Sequence, residues 1–176
     1  GSIFDPREKL GLAHYTALAL MRGTQTRTFQ QIYDGLESVG ASLGFGASVH
    51  NTSFGGRALA EDLRLLLGTL SEAIREPIFP ADHIERRDQD TADRASIRFD
   101  EIVFPNHPYG LPEDGFAETI QAIQREDILQ HHKLVYGPRN MVLVVVGAVS
   151  ASQAYDFVND VLGGWENPFQ PEPPIL

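Results

Sequence analysis

The chain contains no cysteine, which excludes a disulfide framework and any metal site built on thiolates. No apolar run approaches the roughly 20 residues that a membrane-spanning helix needs. Basic residues are scarce as well: 14 Lys and Arg stand against 24 Asp and Glu, for a net charge of −10. This balance argues against nucleic acid or an anionic membrane surface as the partner.

The remaining composition is sufficient for one hydrophobic core. Of the 176 residues 42% are hydrophobic, and a chain of this length buries roughly 70% of its unfolded surface. We expect one domain over residues 1–166, followed by a Pro-rich linker over residues 167–176 that leads to a further domain. We interpret the sequence as a fragment that lacks its targeting segment, so the bacterial periplasm and the cytoplasm both stay open as localisations.

Hydrophobic residues at spacings of three and four predict six helices. These cover Leu10–Met21, Phe29–Val39, Glu61–Arg75, Ile84–Val103, Arg125–Tyr136 and Ala151–Leu162. Pairs at the offset of a capping box mark the start of three helices, namely Thr28 with Gln31, Asp82 with Glu85, and Ser150 with Gln153.

Two further regions have the character of strands. Residues alternate between apolar and small or polar from Ala41 to Val49, and Asn51 turns the chain into a second strand from Thr52 to Ala58, which predicts a hairpin. The run Met141–Val146 is apolar on both faces, as in a central strand. The predicted fold class is α+β, an antiparallel sheet with helices packed on one face.

The first predicted helix carries part of a zinc-peptidase motif. In the pattern H-x-x-E-H, the positions i, i+3 and i+4 share one helix face, so two imidazoles bind zinc and the Glu deprotonates the bound water. Here the segment G-L-A-H-Y-T-A-L supplies only His14, with Ala17 at the position of the Glu and Leu18 at that of the second His.

Further blocks accompany this motif in a fixed order. They are G-S-I-F-D-P at 1–6, the pair G-T at 23–24, L-E-S-V-G-A at 36–41, N-H-P-Y-G at 106–110 and Y-G-P-R-N-M-V-L-V-V-V-G at 136–147. In order and spacing the chain resembles the insulinase and pitrilysin family of H-x-x-E-H zinc peptidases, which includes bacterial members similar to processing peptidases. The resemblance implies a metallopeptidase-type α/β roll, here expected without its first strands.

The resemblance also identifies where further zinc and substrate residues would stand. The third zinc ligand of the family is a Glu. The matching position in this chain is Asp93, and 74 residues separate it from Leu18. Asp is shorter by roughly 1.5 Å, which is large beside the ±0.2 Å tolerance of metal distances. Arg86 stands where the family often has another acid. The family's substrate-edge strand, N-A-x-T, corresponds to Gly44, Phe45, Gly46 and Ala47.

These departures predict a domain with no catalytic residue, no metal and no cofactor of its own. The base position is Ala17, and the metal-ligand positions are His14, Leu18 and Asp93. The strand Gly44 to Ala47 is the candidate peptide-binding element. Zinc is expected in a homologous partner half, with extended peptides as the second partner.

Each polar residue of this set also has a purely structural interpretation. A lone His14 makes no stable zinc site and is expected to be held by a neighbouring side chain. His107 before Pro108 is expected in a turn, and His131 and His132, about 100° apart, on a solvated helix face.

Two residue groups are expected to be structural as well. An ion-paired, exposed helix accounts for the charged residues Glu85, Arg86, Arg87, Asp88, Asp90, Asp93 and Arg94. The glycines Gly44, Gly46, Gly55 and Gly56 indicate close packing or a bulge and not a phosphate loop.

Three functions are consistent with this pattern. The favoured one is a non-catalytic domain or subunit that completes the peptide chamber of an insulinase-type assembly and stabilises its active half. The second is a structural scaffold like the core proteins of respiratory complexes. The third, an active peptidase with an unorthodox metal site around His14 and Asp93, requires that the chemistry survive loss of its general base, which typically costs a hundredfold to ten-thousandfold.

Overall fold

The computed structural model describes residues 1–80, 98–105 and 107–171. Its helices and strands, in chain order, are α1 (Leu12–Ala19), α2 (Phe29–Glu37), β1 (Ser42–Ala47), β2 (Thr52–Arg57), α3 (Leu63–Arg75), α4 (helical residues 98–103), α5 (Ala117–Ala122), α6 (Arg125–Val135) and α7 (Ala151–Leu162). Short 3-10 turns cover Ser2–Phe4, Arg7–Lys9, Leu20–Arg22, Ala60–Asp62 and Pro108–Gly110. No helix of the described residues has the length and apolarity to cross a membrane.

The chain divides into two compact units. The first comprises Gly1–Ala19, Phe45–Phe54 and Phe79–His131. Its buried apolar residues come from α1, from the region from α5 to α6, and from two loop positions. They are Leu12, Ala13 and Ala17, then Ile120, Ile123 and Ile128, and the loop residues Leu10 and Phe79. Helix α1 is therefore a core element of this unit.

The second unit comprises Leu20–Gly44, Gly55–Ile78 and His132–Leu176. Helix α3 packs against α2 and α7. Its buried residues Leu66, Leu67, Leu70, Ala73 and Ile74 recur at helical spacing, and Ile32, Leu36 and Leu162 are buried with them in this unit. The Ser71 hydroxyl donates a 2.7 Å hydrogen bond to the Val161 carbonyl at the end of α7.

Local sequence signals explain the elements that were predicted correctly. Helices α2 and α7 begin with the predicted capping boxes, Thr28 with Gln31 and Ser150 with Gln153. The hairpin forms as strands β1 and β2, paired with each other. Of its glycines Gly56 has close neighbours, since a Cβ there would lie 2.7 Å from the Ser42 carbonyl oxygen. The helix predicted over Ile84–Val103 and its Asp82–Glu85 cap lie largely outside the described residues.

The structure also differs from the predictions at the start of α1, at α5 and over residues 141–146. Helix α1 begins at Leu12 and not Leu10, because Leu10 is extended and Gly11 has a φ of +96°. Helix α5 was not predicted. The segment 141–146, predicted as a buried central strand, has no ladder partner in the described part of the chain and exposes Val142, Val144 and Val146, because a strand is buried only by neighbouring strands.

Residues just after the predicted domain end contact the last turn of α6 and the residue that follows it. The Asn167 side-chain amide donates to the carbonyls of Lys133 and Tyr136, at 2.8 and 2.7 Å. The Lys133 ammonium lies 4.0 Å from the centre of the Phe169 ring. The domain boundary at residue 166 and the linker beyond it stay predictions.

Candidate functional site

Helix α1, which carries the incomplete zinc motif, is held at its first turn by a buried carboxylate. The two oxygens of Asp5 accept hydrogen bonds from the backbone N–H groups of Gly11, at 3.1 Å, and Ala13, at 3.2 Å. These N–H groups have no acceptor within a helix, so Asp5 acts as a cap and complements the helix dipole. Burial raises the pKa of Asp5 to about 6, while the two backbone hydrogen bonds act in the opposite direction.

The loop Pro112–Gly115 approaches the same turn through its backbone. A Cβ on Gly11 would lie 2.6 Å from the carbonyl oxygen of Asp114, and a Cβ on Gly115 would overlap the carbonyl oxygen of Leu10. Both glycines have positive φ, +96° and +77°, a region that other residues rarely adopt. The two glycines thus allow the loop and the helix start to lie in direct backbone contact.

Two side-chain contacts reinforce this arrangement. The Thr119 hydroxyl of α5 donates a 2.9 Å hydrogen bond to the Leu10 carbonyl. The Lys9 ammonium lies 2.5 Å from a carboxylate oxygen of Asp127 in α6, and this hydrogen bond lowers the pKa of Asp127. The start of α1 is therefore fixed by α5, α6 and two loops of its own unit.

The face that would bind zinc has a different character. Ala17, at the position of the catalytic Glu, is 0% exposed, whereas Leu18, at the position of the second His, is 42% exposed. The His14 Nδ1 atom lies 3.0 Å from a carboxylate oxygen of Asp114. The imidazole at this distance lowers the pKa of Asp114, against the partial burial that raises it.

These residues do not fit a zinc ion. Catalytic zinc requires three protein ligands with an open fourth position, and the motif face offers one imidazole, one methyl group and one isobutyl group. Among the described residues, no three His, Asp or Glu side chains are grouped so that they could hold a metal. Asp93, the predicted third position, lies outside those residues, as do Glu85, Asp88, Asp90 and their arginine neighbours.

The candidate peptide-binding strand is part of the hairpin. Gly44 is exposed, whereas Phe45, Gly46 and Ala47 are partly buried. Strand β1 pairs with β2 along one edge, and its other edge has no strand partner in the part of the chain that the structure describes. Such an edge presents backbone N–H and C=O groups to which an extended peptide can add.

Two further histidines of the described residues, His107 and His132, take structural positions. His107 was predicted in a turn, and it caps the turn Pro108–Gly110, its Nδ1 accepting from the Tyr109 N–H at 3.2 Å. The prediction of a solvated face is wrong for His132, whose Nε2 lies 2.8 Å from the Ile74 carbonyl and whose ring stacks on Tyr136. Burial lowers the pKa of His132.

Sequence reasoning missed Asp5 and Asp114, the two acids that meet helix α1. Asp5 lies in the G-S-I-F-D-P block, which was interpreted only as part of a family pattern. Asp114 lies in Pro-Glu-Asp-Gly, a composition typical of a tight turn. That signal locates the turn, but it does not indicate the helix that the turn contacts.

The sequence of this chain is similar to one peptidase family and to several of its members. The chain matches the sequence profile of the insulinase family, peptidase family M16, over residues 1–106 and that of the peptidase M16 inactive domain over residues 122–176. An uncharacterised zinc protease of Mycobacterium leprae is 26% identical over 164 residues, which cover 87% of this chain and 37% of the relative. A probable mitochondrial-processing peptidase subunit beta of Arabidopsis thaliana is 26% identical over 169 residues, covering 90% and 32%. The chain thus spans about a third of the length of these relatives.

Solved structures match the whole chain. The peptidase M16 inactive domain from Pseudomonas fluorescens superposes with a TM-score of 0.80 at 25% identity, covering 100% of this chain and 44% of that one. The periplasmic protease PqqL from Escherichia coli superposes with a TM-score of 0.86 at 19% identity, covering 99% and 21%. The predicted α+β fold is confirmed.

Proposed function

This chain belongs to the insulinase family of peptidases, family M16, and we propose that it is a non-catalytic domain that pairs with a homologous, zinc-bearing half. In this proposal the active half supplies the metal and the general base. The present domain completes the peptide chamber and stabilises its partner.

One observation carries the proposal. Ala17 occupies the position of the general base and is fully buried in the core of its unit. A carboxylate at this position would be removed from water, and a buried charge is strongly disfavoured unless it is paired. The second ligand position, Leu18, has no metal-binding atom. The match of residues 122–176 to the inactive domain of the family supports the same conclusion.

The open edge of β1 supports a role in binding peptide. Residues Gly44 to Ala47 leave one side of the strand without a strand partner among the described residues, and β-addition needs only backbone groups in register. Binding at this edge would let the domain hold an extended substrate without cleaving it. A pure scaffold would have no need of that edge.

Metal analysis and peptide cleavage test the first half of the proposal. The purified protein should contain well under one equivalent of zinc and should leave an unfolded peptide intact. One tight equivalent of zinc, removable by a chelator together with peptidase activity, would contradict it and favour the active-enzyme alternative.

Proline scanning of the strand tests the second half. Successive N–H groups of a strand point to opposite edges, so one of Gly44→Pro and Phe45→Pro removes an N–H from the open edge, while the other breaks the hairpin. With a zinc-bearing half added, peptide affinity should fall about tenfold in the variant whose thermal stability is unchanged. Unchanged peptide affinity in both variants would leave the scaffold as the better description.

A further inference from the structure

Helix α1 retains one imidazole of a metal site whose other parts are missing. We propose that Asp114 has taken the place of the metal as the partner of His14, so that this histidine fastens helix α1 to the loop Pro112–Gly115. The His14–Asp114 contact is then a structural tether. This inference deepens the proposed non-catalytic function and rests on it.

Backbone geometry places Asp114 beside the helix independently of its side chain. The carbonyl of Asp114 faces Gly11, and the next residue, Gly115, faces the carbonyl of Leu10. Because neither approach tolerates a Cβ, the position of residue 114 is set to within a narrow range. Its carboxylate therefore reaches the first turn of α1 without ordering a long, mobile side chain.

The distance between the two groups of the tether and their partial burial suit this position. The His14 Nδ1 atom is buried and lies 3.0 Å from the Asp114 carboxylate, and the side chains are 25% and 65% exposed, respectively. A carboxylate near the first turn is also favoured by the helix dipole. A divalent metal at His14 would need two more ligands, and Asp114 is the only acid among the described residues in ion-pair contact with it.

A double-mutant cycle tests the tether. His14→Gln and Asp114→Asn should each lower the melting temperature by about 2 °C, because a partly exposed pair contributes less than about 1 kcal/mol and 1 kcal/mol corresponds to about 2–4 °C in a chain of this size. The double variant should melt no lower than either single variant. Additive losses, or no loss in the single variants, would overturn the inference.

Two further measurements make the result specific. Amide hydrogen exchange at residues 12–15 and 115 should become about threefold to tenfold faster in either single variant, and Glu118→Gln, which removes an exposed carboxylate of α5, should leave it unchanged. Titration with zinc alone should give the same weak response in the protein and in both variants. A saturable zinc site lost in both variants would overturn the tether in favour of a metal.

The proposed non-catalytic function and the proposed tether can be contradicted by different results. Peptide cleavage by the purified protein would contradict the non-catalytic function. An additive cycle in a protein that neither binds zinc nor cleaves peptide would remove the tether and leave the non-catalytic function standing.

Discussion

The first turn of helix α1 and the face that follows it are held by different means. The first turn receives a buried carboxylate from Asp5, a backbone approach from Gly115 and a hydroxyl contact to Leu10. The face with His14, Ala17 and Leu18 combines one polar contact, from His14 to Asp114, with apolar side chains. Most contacts that hold the helix are thus made at its first turn, whereas the family's zinc-binding positions lie on the face that follows.

Because the helix is held mainly at its start, the fold can persist without the reaction. A metal would be bound on the face, whereas the position of the helix is set at its start by groups that touch no metal ligand position except through Asp114. Loss of a general base and a ligand therefore leaves the anchors intact. Substitutions at the anchors and on the face should separate these two contributions.

The largest effect is expected on the face, at Ala17. Ala17→Glu should lower the free energy of unfolding by about 4 kcal/mol, because a carboxylate at this fully buried position would be removed from water. Leu18→His, at a position 42% exposed, should change it by less than about 1 kcal/mol. Urea unfolding of both variants checks this contrast. Equal stability of Ala17→Glu and the unmodified protein would show an open base pocket and weaken the proposed function.

At the anchored end, Gly115→Ala should cost about 3 kcal/mol. The added Cβ would overlap the Leu10 carbonyl oxygen, and the φ of +77° is strained for alanine. Gly68→Ala is the matched control, since Gly68 lies within α3 and, apart from the adjacent backbone of that helix, no atom lies within 4 Å of the added Cβ. It should raise stability by about 0.5–1 kcal/mol through helix propensity. A similar response of both variants in thermal unfolding would mean that the loop is free to move away.

The cap at Asp5 should add a pH dependence of defined sign. Its pKa is about 6 in the folded protein against 3.8 in the unfolded chain, so between these values the folded state binds more protons. The stabilisation that protonated Asp5 contributes is fully present below about pH 4 and is lost as the pH rises through 6. This loss should lower the free energy of unfolding by about 2 kcal/mol between pH 4 and 7.

The variant Asp5→Asn isolates this contribution. In Asp5→Asn the free energy of unfolding should no longer fall by this amount between pH 4 and 7. In the control Asp156→Asn, on the exposed side of α7, it should fall as in the unmodified protein. The measurement is the free energy of unfolding at pH 4, 5, 6 and 7. An Asp5→Asn profile parallel to that of the unmodified protein would show that Asp5 titrates normally in the folded state.

The parts of the fold that follow from short-range signals were predictable. Capping boxes fixed the starts of α2 and α7, and the predicted bounds of α7, Ala151–Leu162, agree with the structure. The hairpin followed from alternation around Asn51. Such elements depend on residues within a few positions of each other, so the sequence displays their causes directly.

For the candidate site, the sequence predicted which zinc-binding groups are missing but not which residues surround their positions. Ala17 and Leu18 could be identified from the motif, but their burial could not, because a helix pattern does not say which neighbours cover it. Asp114 is 100 residues from His14, and His132 meets Ile74 across 58 residues. Contacts of this separation arise from packing, which residue spacing does not encode.

The smallest effect is expected at the Lys9–Asp127 contact, which supports the anchored end from α6. Lys9→Met should lower the free energy of unfolding by about 0.5–1 kcal/mol, because both side chains are largely shielded, at 29% and 19% exposure. The control is Arg98→Met, whose ion pair with Glu101 is 73% and 35% exposed, and it should change stability by less than about 0.3 kcal/mol. Raising the salt concentration to about 1 M should reduce the loss in Lys9→Met only in part, since shielded pairs are screened less than exposed ones. Complete loss of the difference in salt would place this contact among ordinary surface ion pairs, and the anchored end of α1 would then depend on Asp5 and the two glycines.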